Sequence, residues 1–395
     1  MATTEQSSGF GEGPAEEMIR RTAREIAAEY DDEYWREVNH EGTEPDAFWQ
    51  DCADAGFLGA AVPEEYGGEG MGIGAMTTIV ETLEEHGCMG AGMLFVVTPV
   101  FGSITLARNG TDAQREQYLE PLVKGDMKFC MALTEPGAGQ NTRNLATDAE
   151  PTGDGYVVNG AKQWISGVGR ADKMLLIART TPLEAVERPT GGISLFLADP
   201  ADDGVECRPL DTGVPAPETQ YEISFDDYEL DASALIGEEG QGLYQMFDTI
   251  NPERLVGAAS AVGAGKCALR RAADYARERE VFDAPIATHQ AIQHPLADHY
   301  SKLEAAEMLV KKGAWAVDND GDAGAAANMA KLRASEAGYD ACDFAVQVHG
   351  GNGLATDYFV VDLWKGARLG RIAPGSSEMM RNYIAERVLD LPRSY

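Results

Sequence analysis

The chain has 395 residues, of which 44% are hydrophobic and 25% are charged. These values are typical of a soluble globular protein, and the length suggests two or three domains with a sizeable core. The 65 acidic residues outnumber the 32 basic ones, which gives a formal net charge of −33. Such a surface repels phosphate groups, so nucleic acids and anionic membranes are poor partners.

Several classes of protein are disfavoured by what the sequence does not contain. It has no uncharged apolar run of 18 residues, so we expect no membrane span, and the polar residues 1–17 do not resemble a secretory signal. The six cysteines form no Cys-x-x-Cys pair, and the six histidines form no His-Glu-x-x-His pair. We therefore predict reduced thiols, no metal site and a cytoplasmic location.

Three regions are predicted in chain order. Residues 14–127 have apolar side chains at helical spacing and are predicted to form a helical domain. Residues 128–240 contain short β-prone runs separated by Gly, Asp and Pro, at 156–158, 173–178, 192–197 and 221–225. Residues 241–395 return to long helical patterns, at 252–279, 298–317, 322–348 and 376–389, which predicts a helical bundle.

The glycine-rich segment 67–74 is a candidate for nucleotide binding. No strand precedes it and no βαβ unit surrounds it, although a dinucleotide fingerprint requires both. We interpret the segment as a flexible turn before a helix.

Six motifs, in order along almost the whole chain, resemble the acyl-CoA dehydrogenase family. Segment 58–68 reads Leu-Gly-Ala-Ala-Val-Pro-Glu-Glu-Tyr-Gly-Gly, and segment 132–139 reads Ala-Leu-Thr-Glu-Pro-Gly-Ala-Gly. The others are Gly-Ala-Lys-Gln-Trp-Ile-Ser at 160–166, Arg279 and Phe282 with Gln290, Gln-Val-His-Gly-Gly-Asn-Gly at 347–353, and Gly-Ser-Ser-Glu at 375–378.

The resemblance implies an α+β fold with an N-terminal helical domain, a central β-barrel-like domain and a C-terminal four-helix bundle. It also implies FAD as cofactor, in a homotetramer where two subunits complete each FAD site. The implied reaction is dehydrogenation of an acyl-CoA thioester to the trans-2-enoyl-CoA, with electrons passed to an electron-transfer flavoprotein. An oxidase, an enoyl-CoA reductase and a non-catalytic paralogue that binds FAD and acyl-CoA remain alternatives.

The family pattern assigns cofactor contacts to particular positions. Glycines allow backbone to approach a planar ring or a phosphate, and an arginine suits a diphosphate. The positions implied are Met131, Leu133, Thr134, Gly139, Gln140, Trp164, Ile165, Ser166, Arg279, Phe282, Gln290, Gln347, Gly350, Gly351, Ser376 and Glu378.

The general base is the point where the sequence departs from the commonest pattern. The usual catalytic Glu precedes a Gly-Thr/Ser pair, but Pro374 occupies that position here. Isovaleryl-type and long-chain-type relatives place the base before the arginine of a central helix, and Glu253 before Arg254 matches that pattern. A first-turn helix carboxylate, capped by Asn251, is the alternative interpretation of Glu253.

The substrate contacts implied by the resemblance also show departures. They map to Gln140, Asn251, Arg254 and Gly375, but the family's Ser-Asp pair is replaced by Gln140-Asn141. In the family, the backbone N–H at position 374 and a ribityl hydroxyl hold the thioester oxygen. Pro374 has no N–H, so we expect that half of the oxyanion hole to be missing or moved to Gly375.

The acidic surface predicts dependence on salt. The chain has ten lysines and 22 arginines, and an acidic, lysine-poor surface over an ordinary core is typical of halophilic proteins. Repulsion among carboxylates is screened as the Debye length falls to about 3 Å at 1 M salt. The thermal unfolding midpoint should therefore rise strongly between low salt and molar KCl, and a flat midpoint would contradict the halophilic interpretation.

Overall fold

The computed structural model describes residues 13–394. Helices form the N-terminal region, at α1 Pro14–Ala28, α2 Asp32–Arg36, α3 Asp46–Asp54, α4 Gly72–Glu85, α5 Ala91–Phe95, α6 Thr105–Asn109 and α7 Asp112–Val123. A π-helical segment, Val96–Ile104, joins α5 to α6. The prediction of an N-terminal helical domain is confirmed.

The stretch Ala91–Asn109 is long and apolar enough to cross a membrane, by length and composition alone. Within its apolar window, however, 78% of the residues are buried inside the protein. Such burial is expected of a core helix, because a membrane-spanning helix needs an apolar exterior.

The middle region is an eight-stranded mixed sheet in the order β6-β7-β3-β2-β4-β5-β8, with β1 paired to β4. Its strands are β1 Phe129–Ala132, β2 Asp148–Pro151, β3 Gly155–Ser166, β4 Lys173–Arg179, β5 Ile193–Ala198, β6 Val205–Leu210, β7 Gln220–Asp231 and β8 Leu235–Ile236. Strand β4 has a continuous apolar run because Leu175 and Ile177 enter one core while Met174 and Leu176 enter another.

Three long helices dominate the C-terminal region: α9 Phe247–Glu278, α10 Gln290–Asp318 and α11 Gly324–His349. The remaining elements are the short helices α8 Gly242–Gln245, α12 Val360–Leu369 and α13 Ser377–Arg387, with the hairpin β9 Glu280–Val281 and β10 Ala284–Pro285. Helices α1–α5 and α9–α12 share one hydrophobic core, which includes Ile19, Leu83, Val256 and Ala345.

Helix α9 begins earlier than the sequence pattern suggests. It starts at Phe247 and passes through Pro252 without ending. Asn251 and Pro252 are therefore interior residues, and Glu253 lies in the second turn of the helix. The interpretation of Glu253 as a first-turn carboxylate is wrong, because the macrodipole acts mainly within the first turn.

Helices α9 and α11 run parallel and touch through glycines. A Cβ built on Gly338 would lie 2.4 Å from the backbone oxygen of Ala261, and one built on Gly265 would lie 3.1 Å from the Gly338 Cα. Backbone at this distance leaves no room for a side chain, so both glycines are required by packing.

We predict that Gly338→Ala destabilises the protein, because the new methyl group must displace the Ala261 carbonyl. Overpacking of this kind costs about 1–3 kcal/mol and should lower the thermal midpoint. Gly366→Ala in α12 is the matched control, since a Cβ there meets nothing within 4 Å. The control should be neutral or stabilising by up to about 1 kcal/mol; equal effects of the two substitutions would contradict the packing argument.

Candidate functional site

Trp164 stands out of the sheet at an irregularity between β3 and β7. The register of the two strands shifts between Gln163 and Ile165, and Trp164 has a φ of 62°. A positive φ is costly for a bulky residue and is commonest where structure serves function. The bulge leaves the Trp164 side chain 54% exposed, whereas Ile165 is 2% exposed in the core. Ile165 can therefore offer a ligand only its backbone.

Segment 131–140 runs alongside Trp164. The Gln163 N–H donates to the Thr134 carbonyl at 2.8 Å, and Lys162 Nζ donates to the Leu133 carbonyl at 3.1 Å. Met131, Leu133 and Thr134 are each partly exposed. The family-derived positions of this segment and of 164–166 are thus brought together on one surface.

A buried ion pair holds the segment in place. Lys162 Nζ lies 2.8 Å from Glu135 Oε1, and neither side chain is more than 5% exposed. The Glu135 carboxylate also accepts backbone N–H groups from Ala146 at 2.7 Å and Thr147 at 3.0 Å. Burial raises the pKa of Glu135, but the lysine and the donors outweigh it and hold the pKa below its usual range. Sequence analysis missed this pair, although both residues lie inside the motifs.

The turn after Pro374 reaches the same surface. The Ser376 N–H donates to Gln140 Oε1 at 3.1 Å, which joins the C-terminal region to segment 131–140. Gly375 has a φ of 66°, a conformation that favours glycine. Ser376 also caps α13 by accepting from the Met379 N–H, while Glu378 in the first turn of α13 points largely to solvent. Ser166 Oγ, on the sheet, accepts from Gln220 Nε2 at 2.8 Å.

The Glu253 side chain is partly exposed to solvent, but protein atoms surround most of its carboxylate. Burial is the largest influence and raises its pKa to about 7, while the positive charges of Arg254 and Lys331 oppose the rise. A carboxylate with a pKa near neutrality is suited to act as a general base, because it is ionised at working pH and still binds a proton well.

Two cations flank Glu253. Arg254 Nη1 lies 3.4 Å from Asn251 Oδ1, and burial lowers the Arg254 pKa. Lys331, in α11, is 1% exposed and was not among the predicted site residues. The one feature of the sequence that could have indicated it is a lysine within a helical stretch of small and apolar residues.

The other family-derived positions lie at the opposite end of the C-terminal helices. Arg279 follows the last residue of α9, roughly 38 Å along the helix from Glu253 at about 1.5 Å per residue. Phe282 is 92% exposed at the hairpin tip, and Gln290 begins α10. Tyr275 stacks on His349 with ring centroids 4.3 Å apart, which brings the end of α11 alongside. This distal group also contains Gln347, Gly350 and Gly351, and it does not meet the Glu253 site within one chain.

The residues around Trp164 fit a flavin. An exposed aromatic ring, the hydroxyl of Ser166 and open backbone form one surface, and a Cβ on Gly137 or Gly139 would meet nothing within 4 Å. That open space admits a flat ring close to the backbone. The distal group offers Arg279 and the paired glycines Gly350 and Gly351, whose added Cβ atoms would also meet nothing, and this chemistry fits a diphosphate.

All three regions of the chain match models of one protein family. Family models described as the acyl-CoA dehydrogenase N-terminal, middle and C-terminal domains match residues 13–126, 130–228 and 240–389. The acyl-CoA dehydrogenase FadE12 of Mycobacterium tuberculosis is 38% identical, with 98% of this chain and 99% of the relative covered.

Two further proteins are similar over nearly their whole length. The caffeyl-CoA reductase-Etf complex subunit CarC of Acetobacterium woodii is 33% identical and covers 94% of this chain and 97% of its own. The structure of a glutaryl-coenzyme A dehydrogenase with glutaryl-CoA has a TM-score of 0.92 at 26% identity, with 98% of each chain covered.

We predict that Lys162→Met loosens segment 131–140, because it leaves the Glu135 carboxylate buried without its cation. Breaking a buried pair costs about 3–5 kcal/mol, so the thermal midpoint should fall and FAD should be lost more readily on gel filtration. The Glu135 pKa is held low in the folded state, so the stability that the pair contributes is present above the ordinary pKa and is lost as pH falls. The difference from wild type should therefore shrink in acid.

Lys173→Met is the matched control, in the neighbouring strand β4. Its ion pair with Asp199, at 2.9 Å, has side chains 27% and 30% exposed, and exposed pairs contribute about 0–1 kcal/mol. Equal losses of FAD in the two variants would show that the Lys162–Glu135 pair does not anchor the segment.

Proposed function

Since this chain belongs to the acyl-CoA dehydrogenase family and is therefore a FAD-binding oxidoreductase, we propose that it dehydrogenates an acyl-CoA thioester to the trans-2-enoyl-CoA. The observation that carries the proposal is Glu253, a carboxylate with a pKa near 7 on the central helix of a chain that has Pro374 at the usual base position. When bound, FAD supplies the acceptor for the hydride that leaves the substrate β-carbon.

Glu253 takes the α-proton in this proposal. A carboxylate Oε accepts the proton from the α-carbon, and the electron pair of that C–H bond becomes part of the new α,β double bond. Burial supports this role because it raises the proton affinity of the carboxylate. Arg254, the next residue, keeps a positive charge beside the carboxylate and favours its ionised form before the reaction.

The thioester oxygen needs hydrogen-bond donors as charge develops on it. Pro374 cannot donate, so we assign one donor to the Gly375 N–H, the next along the chain. The positive φ of Gly375 and the bond between Ser376 and Gln140 fix the direction of this turn. Gln140 takes the place of the family's serine beside the flavin and the thioester.

Trp164, Ser166 and segment 131–140 would hold the flavin ring. Trp164 offers an exposed aromatic face, Ser166 a hydroxyl and Thr134 a partly exposed side chain beside it. The distal group, with Arg279 and Phe282, is too far along α9 to serve the same ring. We infer that it completes the FAD site of a neighbouring subunit, as expected for a homotetramer in the cytoplasm.

The electron acceptor is proposed to be an electron-transfer flavoprotein, which is supported by the similarity to a subunit of a caffeyl-CoA reductase-Etf complex. The same relative favours a second candidate function, reduction of an enoyl-CoA. Anaerobic titration from both sides separates the two by the position of the equilibrium. An acyl-CoA bleaches most of a dehydrogenase flavin, whereas in a reductase the enoyl-CoA reoxidises most of the reduced flavin and the acyl-CoA bleaches little.

We predict that Glu253→Gln retains FAD and acyl-CoA binding but reduces its flavin about 100- to 10,000-fold more slowly, the usual cost of losing a general base. The wild-type rate should rise with pH through about 7 as the Glu253 carboxyl loses its proton. Stopped-flow bleaching with an acyl-CoA that the wild type accepts measures both effects.

Glu378→Gln is the control, since its side chain is 76% exposed in α13. Because the family pattern places Glu378 among the cofactor contacts, the substitution should weaken FAD retention. The rate of bleaching in the FAD-loaded enzyme should stay near wild type. A Glu253→Gln variant that bleaches at the wild-type rate would show that another group is the base. A wild-type protein that binds acyl-CoAs without bleaching would favour the non-catalytic alternative.

A further inference from the structure

Lys331 is a buried lysine whose amine is surrounded by oxygen acceptors. Its Nζ lies 2.9 Å from Ser335 Oγ and 3.1 Å from the Ala373 carbonyl oxygen, and it also bonds to the carbonyl oxygen of Gly370. Two of these acceptors belong to segment 370–373, which leads directly into Pro374. One side chain of α11 therefore fastens the turn that carries Pro374 and Gly375.

The hydrogen bonds favour the charged form of this amine. The Ser335 hydroxyl donates its hydrogen to the Lys331 carbonyl at 2.6 Å, so toward Nζ it can only accept. Three acceptors require three N–H donors, which an ammonium has and a neutral amine lacks. Burial lowers the Lys331 pKa to about 7, whereas Glu253 raises it. Three bonds that only the ammonium can make oppose the effect of burial and favour the charged form.

Lys331 and Glu253 lie on two touching helices, and their charges influence each other. Gly257 follows Glu253 by one turn on the same side of α9, and a Cβ built there would lie 3.6 Å from Pro374 Cδ and 3.9 Å from Lys331 Cε. The charged groups that act on Glu253 are Arg254 from α9 and Lys331 from α11, and Tyr383 from α13 acts on Arg254. Glu253 thus lies one helical turn before the point where α9 meets the fastened turn and the lysine.

We propose that Lys331 is a positioning residue for Glu253: its ammonium fixes segment 370–374 behind the carboxylate and keeps the carboxylate ionised before it takes a proton. The inference rests on the proposed function only in treating Glu253 as the general base. No covalent step is involved, and Lys331 keeps all its protons throughout.

The consequence appears in the pH dependence of catalysis. Without the Lys331 cation, less positive charge opposes the effect of burial, so the pKa of Glu253 rises. The carboxyl then stays protonated to higher pH. Below its pKa, each unit by which that pKa rises lowers the ionised fraction about tenfold. At high pH the carboxyl is ionised in either case, and the rates converge.

The experiment measures anaerobic flavin bleaching from pH 5.5 to 9.5 in Lys331→Met, a variant that keeps the length of the side chain but removes its charge. The acid limb of its pH–rate profile, where the rate rises with pH, should move to higher pH by about one pH unit or more. Relative to wild type, the rate at pH 6 should therefore fall at least about tenfold, while the rate at pH 9 should stay within about threefold. An equal loss at every pH would overturn the proposal, because it would show that Lys331 only supports the turn.

Two further variants distinguish the effect of the Lys331 charge from its support of segment 370–373. Ser335→Ala removes one acceptor and keeps the ammonium, so its acid limb should stay at the wild-type pH even where the rate falls. Lys331→Arg keeps the charge and should restore the limb toward its wild-type position. A shift in Ser335→Ala as large as that in Lys331→Met would contradict a role for the charge.

A second readout does not depend on turnover. Thermal midpoints of the holoenzyme, its Glu253→Gln and Lys331→Met variants and the double variant form a cycle that measures the coupling of the two residues. The coupling should be favourable at pH 8 and vanish at pH 5.5, where Glu253 is protonated. No coupling at pH 8 would overturn the proposal. If no acyl-CoA bleaches the wild type, the proposed reaction fails, yet the cycle still decides whether Lys331 holds Glu253 ionised.

Discussion

The close parallel contact between α9 and α11 is the constraint on which the site depends. Gly265 and Gly338 let the two backbones meet without intervening side chains. Because each helix is rigid, that contact fixes the distance between residues several turns away, including Glu253 on one helix and Lys331 on the other. The same contact carries through to the far end, where Tyr275 stacks on His349. One packing interaction therefore positions both the Glu253 end of the two helices and the distal group.

Periodicity in the sequence was enough to predict the three regions and the long helices, because amphipathic helices and continuously apolar strands carry strong signals. Strands β1, β2, β6 and β8 were not among the predicted runs. Strands β2 and β6 are mostly exposed or half-buried and lack a clear apolar pattern, while β1 and β8 are only four and two residues long. The start of α9 was misjudged for a local reason: Asn251 and Pro252 resemble a helix start, but packing against other helices continues α9 through them.

The family-derived site residues fall into two groups that a linear sequence cannot separate. Trp164 and Gln140 are far apart along the chain from Ser376, yet the Ser376 backbone N–H donates to the Gln140 side-chain oxygen. Arg279 and Gly350 lie at the other end of the bundle. Only the unbroken length of α9, 32 residues, shows that one chain does not bring both groups to one ring. Lys331 could not be found from the pattern, because its role depends on carbonyl oxygens 39 and 42 residues later.

In the proposed reaction, Pro374 is compatible with catalysis because the general base is assigned to Glu253 on α9 instead. The Pro374 ring packs over Gly257, and the proposed base, Glu253, lies one helical turn before Gly257 on α9. A helix N-terminus would have lowered the pKa of that carboxyl, but Glu253 lies inside α9, beyond the first turn. Its proton affinity is therefore set by burial on one side and by Arg254 and Lys331 on the other. Burial alone would keep the carboxyl protonated, and strong pairing alone would make it too weak a base; the opposition of the two leaves it able to accept a proton near neutral pH.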